Sequence, residues 1–253
     1  MPQTPNSVFI TGASSGLGRG LALRYAQGGA TVHAAARRED ELRKLAAEAP
    51  PGSIVPVRLD VQDTDALVAA IRRAEQASGG ALDLMIANAG VGRPSPARKM
   101  DWTIVRWILD VNVTAACVTL AAALPAMIER NAGQVVMMSS LAAFRGMPGN
   151  AAYCASKAAV STFMESVRVD LRRTRVRATT IYPGFVKTEL TAKNKFPMPF
   201  LMELDRAVDV MVNGIARGAK TIAYPLPMVA ITRTLGAVPR GIYEPLAARM
   251  QTP

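Results

Sequence analysis

Short apolar runs alternate with longer amphipathic stretches along the chain. The apolar runs are bounded by glycine, proline or charged residues, as buried strands are. We expect seven strands, at Ser7–Thr11, Thr31–Ala35, Ile54–Leu59, Leu82–Ala87, Gly133–Ser140, Arg175–Tyr182 and Thr221–Ala223. Helical patterns lie between them, for example at Leu21–Gln27, Asp63–Ser78 and Trp102–Met127. This alternation predicts an α/β fold in which helices cover both faces of a parallel sheet.

Length and composition favour a single domain over residues 1–253. Half of the 253 residues are hydrophobic, which is enough apolar material for one full core. Two cysteines, Cys117 and Cys154, make neither a disulfide framework nor a metal cluster, so we expect a reducing, cytoplasmic environment. Met1–Asn6 shows no secretory pattern, and the late apolar run Thr221–Thr232 is shorter than the ~20 residues of a membrane span. We therefore expect a soluble protein.

The chain is strongly basic, with a formal net charge of +11 and an isoelectric point near 10.3. Such a charge suits nucleic acid, an anionic lipid surface or an acidic substrate. The arginines are nevertheless dispersed over the helical patterns, as at Arg72, Arg168 and Arg172, without interleaved aromatic residues. We expect solvated helix faces and no nucleic-acid partner; the alternative is attraction of a phosphate-bearing cofactor or an anionic substrate.

A glycine-rich turn joins the first strand to the first helix. Gly12, Gly16 and Gly18 follow Thr11 and precede the helical run from Leu21. Positions without a Cβ allow the backbone to approach a pyrophosphate at the positive end of a helix. Three residues separate the first two glycines, where the common dinucleotide fingerprint has one. We interpret the turn as a dinucleotide-binding loop.

The end of the second strand indicates which dinucleotide is bound. NAD sites place a carboxylate there for the ribose hydroxyls, whereas an arginine accommodates the additional phosphate of NADP. This chain has Ala36, followed by Arg37 and Arg38, and we assign the nearby Glu39 to the first turn of the next helix. NADP is therefore favoured. His33, the only histidine, lies inside this strand as a packing residue, so we expect no histidine triad or metal site.

Tyr153 and Lys157 lie four residues apart in a helical pattern and share one face of the predicted helix. A free tyrosine titrates near ~10, which is too high for proton exchange at neutral pH. An ammonium about 4 Å away, at an effective dielectric constant of ~20, favours the phenolate by roughly 4 kcal/mol. We expect this to bring the pKa of Tyr153 towards neutrality, so that the phenol can protonate a ketone oxygen. A lone pair at this spacing also fits a tyrosine packed beside a solvated lysine.

Other polar residues accompany this pair. Asn88-Ala89-Gly90 forms a small-residue turn after the fourth strand, and Asn112 lies inside the long helical pattern, where a buried amide must be satisfied. Ser139 and Ser140 end the fifth strand, at the sheet edge where ligands gather. One of these hydroxyls can face Tyr153 and bind a substrate oxygen, although serines at a strand end also serve as turn residues.

Together these residues resemble the short-chain dehydrogenase/reductase family, over almost the whole chain up to about Thr188. The residues in the family's order and approximate spacing are Thr11, Gly12, Gly16, Gly18, Asp60, Asn88, Ala89, Gly90, Asn112, Ser140, Tyr153, Lys157, Pro183 and Gly184. The resemblance implies a Rossmann-type, doubly wound, mainly parallel seven-stranded sheet that binds NAD(P). It also implies a homodimer or homotetramer.

The resemblance assigns four residues to catalysis. Tyr153 would be the acid/base, and Lys157 would lower its pKa and hold the nicotinamide ribose. Asn112 would keep a water that links Lys157 to solvent. Ser140, rather than Ser139, would orient the substrate oxygen.

The resemblance also implies a set of cofactor contacts. They are Gly12, Ser14, Ser15, Gly16, Leu17, Gly18, Arg37, Arg38, Asp60, Val61, Asn88, Ala89, Gly90, Tyr153, Lys157, Pro183, Gly184, Val186 and Thr188. Asp60 and Val61 would contact the adenine. The Pro183 loop, with Val186 and Thr188, would hold the nicotinamide carboxamide.

We therefore expect an NADP-dependent oxidoreductase that interconverts a ketone and a secondary alcohol. Many NADP-preferring members have a basic residue where this chain has Ser15, so the preference rests mainly on Arg37, with Arg38 second. A non-catalytic NADP-binding regulator is the alternative, and the intact set of four catalytic residues argues against it.

The residues after Thr188 leave the substrate open. A lid is expected near 188–205, where the apolar residues are Phe196, Met198, Phe200, Leu201 and Met202. They suit a lipophilic ketone, whereas the positive charge suits an acyl thioester. The variable tail 224–253 would line a hydrophobic pocket or contact a partner subunit. Peripheral membrane contact through its interspersed arginines, Arg233, Arg240 and Arg249, is not favoured.

Overall fold

The computed structural model describes residues 5–193 and 197–248, in which seven strands form one sheet with helices on both faces. The strands are β1 Ser7–Thr11, β2 Thr31–Ala36, β3 Ile54–Arg58, β4 Leu84–Ala87, β5 Gln134–Met138, β6 Arg177–Pro183 and β7 Thr221–Tyr224. Their order is β3-β2-β1-β4-β5-β6-β7, and every pairing is parallel. The predicted doubly wound α/β fold is confirmed, and the strand ends differ from the predicted ones by at most two residues.

The strand order reverses between β1 and β4. From β1 the chain moves outward to β2 and β3, and then returns to β4 on the other side of β1. The loops after β1 and β4 consequently leave in opposite directions. They open a crevice at the carboxyl ends of these strands, which is where doubly wound sheets bind ligands.

Both faces of the sheet are buried under helices. The α-helices of the described residues are α1 Gly16–Gln27, α2 Glu39–Glu48, α3 Thr64–Ala77, α4 Trp102–Leu109, α5 Ala116–Glu129, α6 Ala151–Asp170, α7 Leu204–Ala216, α8 Leu226–Ala237 and α9 Arg240–Ala248. In β1, Val8 and Ile10 point into a core shared with α1 and α7, and Phe9 points into a second core shared with α3 and α5. All three side chains are fully buried, because successive residues of a strand face opposite helical layers.

The helical pattern predicted at Trp102–Met127 is a continuous helical segment of 28 residues that ends at Glu129. It consists of α4, a π-helical turn at Asp110–Ala115 and α5. Among the described helices, it is the one that is long and apolar enough to cross a membrane. Half of its most apolar 18-residue stretch is buried inside the fold, where α5 packs against α3 and the π-helical turn packs against α6. It therefore serves as a core helix.

The tail beyond residue 224 contains two helices, α8 and α9, which the sequence did not predict. Pro227 lies in the first turn of α8, where its missing N–H breaks no helical hydrogen bond. Several apolar side chains of these helices remain exposed, among them Leu226, Ile242 and Leu246. The described part of the tail is thus helical. One side of its helices packs on the fold, and the other side exposes several apolar side chains.

Candidate active site

The turn after β4 is bound to the end of β1. Asn88 donates hydrogen bonds from Nδ2 to the carbonyl oxygens of Thr11 and Gly12, at 2.9 and 3.2 Å. The Thr11 hydroxyl accepts hydrogen bonds from the N–H groups of Asn88 and Ala89, both at 3.1 Å. The predicted residues of the two loops therefore lie side by side in the crevice.

Close contacts require glycine in the loop between β1 and α1. Gly12 has a φ of +70°, and a Cβ there would lie 2.8 Å from the Cα of Ala89. A Cβ on Gly18 would lie 2.4 Å from Nδ2 of Asn88. Real Cβ atoms do not approach other atoms so closely, so these glycines fix the loop against the β4 turn.

The start of α1 fits a pyrophosphate. Within the described residues, the side chain of Ser15 at the helix N-cap makes no capping hydrogen bond. The first N–H groups of the helix, from Gly16 and Leu17, therefore remain for an anionic ligand at the positive end of the helix dipole. A Cβ on Gly16 would lie 3.3 Å from the side chain of Thr188, so the loop after β6 reaches this cradle. A dinucleotide fits the arrangement.

Two arginines at the end of β2 border the glycine loop. Arg38 places Nε 3.3 Å from the hydroxyl of Ser14 and Nη1 3.0 Å from a carboxylate oxygen of Glu189. Arg37 pairs instead with Asp60, at 4.0 Å. From the sequence, we expected Arg37 to contribute more than Arg38 to the preference for NADP. In the structure, Arg38 is the arginine that contacts the glycine loop directly. Both side chains are largely exposed, so these ion pairs are weak and exchangeable.

The side chain of Lys157 turns towards the end of β5. Its ammonium donates a hydrogen bond to the carbonyl oxygen of Met138 at 2.9 Å and lies 5.8 Å from the centroid of the Tyr153 ring. Lys157 is 4% exposed, and burial lowers the pKa of its ammonium from 10.5 to about 8. The ammonium is therefore held by the backbone rather than by the phenol.

Burial governs the pKa of the Tyr153 phenol. It raises the pKa above its ordinary value, and a hydrogen bond with Ser140 acts in the opposite direction. The expectation that Lys157 draws this pKa towards neutrality is wrong for this arrangement, because the ammonium is directed at Met138. The two hydroxyls of Ser140 and Tyr153 nevertheless meet, as the sequence predicted for Ser140.

Asn112 lies in the π-helical turn, is 1% exposed and has a fully bonded amide. Its Oδ1 accepts from the N–H of Val91 at 2.8 Å, and its Nδ2 donates to the Val91 carbonyl at 2.9 Å and to the Ser156 hydroxyl at 3.0 Å. A Cβ on Gly90 would lie 3.4 Å from Nζ of Lys157 and 3.5 Å from Oδ1 of Asn112. The amide of Asn112 and the ammonium of Lys157 thus converge beside the β4 turn.

Sequence reasoning named Ser139 only as a candidate substrate hydroxyl and missed Ser161, and both serines hold the backbone of Lys157. The hydroxyls of Ser139 and Ser161 donate to the Lys157 carbonyl at 2.9 and 2.7 Å and lie 2.8 Å from each other. Consecutive residues of one strand end, Met138 and Ser139, therefore bind the two ends of the same lysine. The available signal was Ser161, which lies four residues after Lys157 on the same helix face.

The loop after β6 closes the site from the third side. The Ser140 hydroxyl lies 3.5 Å from the carbonyl oxygen of Pro183, and the N–H of Gly184 donates to the carbonyl oxygen of Tyr224 at 2.7 Å. The side chains of Val186 and Val61, at 3% and 7% exposure, are packed into the two cores. Most of each valine side chain therefore serves the core, and little of it is open to a cofactor.

The predicted lid is apolar and partly exposed. Phe200 and Leu201 are 49% and 44% exposed, whereas Met202 is buried and its N–H donates to the carbonyl oxygen of Phe185 at 2.9 Å. Phe196 lies outside the described residues. The described lid residues are thus tied to the β6 loop and leave two apolar side chains at the surface.

The described residues line two open cavities, neither of which includes Tyr153 or Lys157. One of about 320 Å³ is lined by Arg93, Thr103, Ile104 and Trp107. The other, of about 270 Å³, is mainly apolar and lies between α9 and the residues that precede α6. Among residues 5–193 and 197–248, no group of three His, Cys, Asp or Glu side chains is placed to hold a metal ion.

Comparisons with known proteins agree with this geometry. The family model described as short chain dehydrogenase matches residues 6–197. An uncharacterized oxidoreductase of Myxococcus xanthus (strain DK1622) is 51% identical over 247 residues, which cover 97% of each chain. An uncharacterized oxidoreductase of Mycobacterium tuberculosis is 33% identical over 93% of this chain and 95% of the relative.

Solved structures show the same fold. A short chain dehydrogenase from Burkholderia cenocepacia J2315, solved in complex with NADP, is 28% identical with a TM-score of 0.81 over 98% of both chains. One from Burkholderia phymatum, solved with NAD, supports the fold alone at 24% identity, with a TM-score of 0.83 over 90% of this chain and 92% of that one. The resemblance drawn from the motifs is confirmed. The chain belongs to the short-chain dehydrogenase family of oxidoreductases, whose fold binds a nicotinamide cofactor.

Proposed function

We propose that the protein is an NADP(H)-dependent oxidoreductase that interconverts a small-molecule ketone and the corresponding secondary alcohol. The proximity of the Ser140 hydroxyl to the Tyr153 phenol, next to the buried cation of Lys157, is the observation that carries the proposal. Two hydroxyls that meet at a strand end can donate to one carbonyl oxygen. Reduction of a ketone requires such donors, because negative charge develops on that oxygen.

In the reductive direction, Tyr153 donates its phenolic proton to the carbonyl oxygen while Ser140 donates a second hydrogen bond to the same atom. The hydride for the carbonyl carbon would come from a nicotinamide cofactor held by the glycine loop. Burial raises the pKa of the Tyr153 phenol, so the proton stays on the phenol until the substrate oxygen gains charge. The Lys157 ammonium, with a pKa of about 8, is protonated at neutral pH and stays on the Met138 carbonyl, 5.8 Å from the centroid of the Tyr153 ring. Oxidation of the alcohol reverses each transfer.

The preference for NADP rests on the two arginines after β2. Arg38 lies on the glycine loop, and Arg37 lies beside Asp60. Glu39, the acid nearest to this strand end, pairs with Arg43 at 2.6 Å and with Arg58 at 3.7 Å. Its carboxylate is therefore paired on the helix side, and the two guanidinium groups at this strand end would bind the additional phosphate.

A hydrophobic or acyl-type substrate suits the exposed apolar lid residues Phe200 and Leu201.

A homodimer or homotetramer suits the exposed apolar residues of the long helices, such as Trp102 on α4 and Val169 on α6, which are 72% and 65% exposed. A cytoplasmic location suits a chain whose two cysteines are both unpaired.

A panel of ketones and acyl thioesters, with oxidation of NADPH as the readout, tests the proposal. We expect turnover of at least one lipophilic ketone, faster with NADPH than with NADH. NADPH that binds to the protein but reduces no member of the panel would overturn the proposal and favour a non-catalytic regulator.

A further inference from the structure

The helices α8 and α9 lie beyond residues 6–197, over which the family model matches, and they contact the chain between the two proposed catalytic hydroxyls. Residues 141–150, which we call the 141–150 connection, join Ser140 to α6 and therefore to Tyr153. An element that holds this connection therefore lies against the chain that leads away from Ser140.

Helix α9 holds the middle of the connection. The Tyr243 hydroxyl donates to the carbonyl oxygen of Gly146 at 2.7 Å. The guanidinium carbon of Arg145 lies 4.1 Å from the centroid of the Tyr243 ring, a distance typical of a cation–π contact. One tyrosine thus holds two consecutive residues of the connection, one through its hydroxyl and one through its ring.

Helix α8 holds the same stretch from a second direction. The guanidinium of Arg233 lies 5.7 Å from the centroid of the Phe144 ring. Arg145 donates from Nη1 to the carbonyl oxygen of Gly236 at 3.4 Å. A Cβ on Gly236 would lie 3.0 Å from the carbonyl oxygen of Phe144, so the helix approaches the connection closely at this glycine.

The opposite side of the connection rests on the end of β6. The rings of Phe144 and Tyr182 stack with centroids 5.0 Å apart. Phe144 packs against a small buried cluster formed by Leu141, Tyr182 and Val229 of α8. Tyr182 precedes Pro183, whose carbonyl oxygen faces the Ser140 hydroxyl. The connection is therefore sandwiched between the β6 end and the two C-terminal helices.

The partial burial of Arg145 indicates that the contact of α8 and α9 with the 141–150 connection is more than surface packing. Its Nη2 is buried without a hydrogen-bond partner among the described residues, and no carboxylate of the described chain forms an ion pair with it. Burying an unpaired charged donor is unfavourable, so the stacked Tyr243 ring and the Gly236 carbonyl must hold the side chain in place.

We propose that α8 and α9 clamp the 141–150 connection, with Tyr243 and Arg145 as positioning residues that set how the wall beside Ser140 meets the substrate. The proposal rests on the proposed function for its effect on substrate, and on geometry alone for its effect on the connection. In this proposal, α8 and α9 of the variable tail set substrate affinity through the 141–150 connection and do not contact the glycine loop.

Amide hydrogen exchange of the full-length protein tests the clamp directly. The variants are Tyr243→Phe, which removes only the hydroxyl, and Tyr243→Ala, which also removes the ring. The control is Ile242→Ala, because Ile242 is the neighbouring residue and its side chain is 57% exposed. We expect exchange in peptides from 141–150 to rise about fivefold in Tyr243→Phe, as for one lost hydrogen bond, and further in Tyr243→Ala. The control should match the parent.

Kinetics with a ketone from the panel tests the effect on substrate. We expect Tyr243→Phe to raise KM for the ketone about threefold to fivefold, with kcat and the Kd for NADPH unchanged, and Tyr243→Ala to raise KM further. Exchange in 141–150 that is the same in Tyr243→Ala and the parent would overturn the clamp, whether or not a substrate has been found. Faster exchange with an unchanged KM would overturn its role in substrate binding. Absence of turnover in the parent would count against the proposed function, and the exchange result would still decide the clamp.

Discussion

The ammonium of Lys157 donates a hydrogen bond to the carbonyl oxygen of Met138 at 2.9 Å. The residue that follows this strand, Ser139, donates its hydroxyl to the Lys157 carbonyl at 2.9 Å. This lysine is consequently attached to β5 at both ends, and the helix face that carries Tyr153 is held at a fixed distance from the strand end that carries Ser140.

Removal of the Ser139 hydroxyl should loosen this attachment. We expect Ser139→Ala to lower the free energy of unfolding by about 1 kcal/mol, because one buried hydrogen bond is lost while Ser161 still donates to the same carbonyl. We also expect kcat to fall several-fold, with KM for the ketone nearly unchanged. Denaturant unfolding and steady-state kinetics measure the two effects. The surface variant Ser166→Ala, whose hydroxyl bonds only locally on an exposed helix face, is the control. A Ser139→Ala protein with normal kcat would show that the attachment does not position the site.

Burial of Lys157 should make stability depend on pH in a defined window. Burial lowers the pKa of its ammonium to about 8 in the folded protein, whereas in the unfolded chain it remains near its ordinary value of 10.5. Between these values the unfolded chain binds more protons than the folded one, so the contribution of Lys157 to stability rises as the pH rises from about 8 to 10.5. Below pH 8 both states are protonated, and the folded protein bears the full cost of burying the charge.

The comparison of the parent with Lys157→Met isolates this contribution, because other groups titrate alike in both proteins. We expect the stability of the parent, relative to that of the variant, to increase when unfolding is measured from pH 7.5 to pH 10. A difference that stays constant over this range would contradict the lowered pKa of the ammonium.

The two arginines after β2 should control the choice of cofactor. We expect Arg38→Ala and Arg37→Ala each to weaken NADPH binding about tenfold or more, as for the loss of a charge-assisted hydrogen bond, with little change in NADH binding. Titration of both dinucleotides by fluorescence measures the ratio. Lys44→Ala removes a nearby exposed cation that pairs with Glu41 and should leave the ratio unchanged. An unaltered ratio in both test variants would remove these arginines from the account.

The fold and the position of the cradle were predictable from local patterns. Gly12 and Gly18 could be assigned to a tight loop because the approach of Ala89 and Asn88 leaves no room for a Cβ, and such positions appear in the sequence as glycine. The inner strands β1, β2, β4, β5 and β6 could be assigned because parallel strands buried on both faces have few charged residues. Ser140 could be placed near Tyr153 because it follows a strand that ends at the ligand edge of the sheet.

The remaining features depend on distances that no local pattern contains. The direction of the Lys157 side chain was not predictable, because the spacing from Tyr153 fixes the helix face but not the competing carbonyl of Met138. The contact between Arg38 and Ser14 depends on how β2 pairs with β1. Tyr243 lies 97 residues from its hydrogen-bond partner Gly146, so a tail expected to vary gave no sign of the clamp.

The central claim is that the Tyr153 phenol exchanges the proton with the substrate oxygen, and kcat of Tyr153→Phe tests it most directly. The matched control is Tyr25→Phe, because the Tyr25 hydroxyl is buried without a hydrogen-bond partner in the described part of the chain and lies on α1. On a ketone that the parent reduces, we predict that Tyr153→Phe loses about 10²-fold to 10⁴-fold in kcat while it still binds NADPH, and that Tyr25→Phe retains full activity. A Tyr153→Phe protein that turns over within a few-fold of the parent would contradict the account.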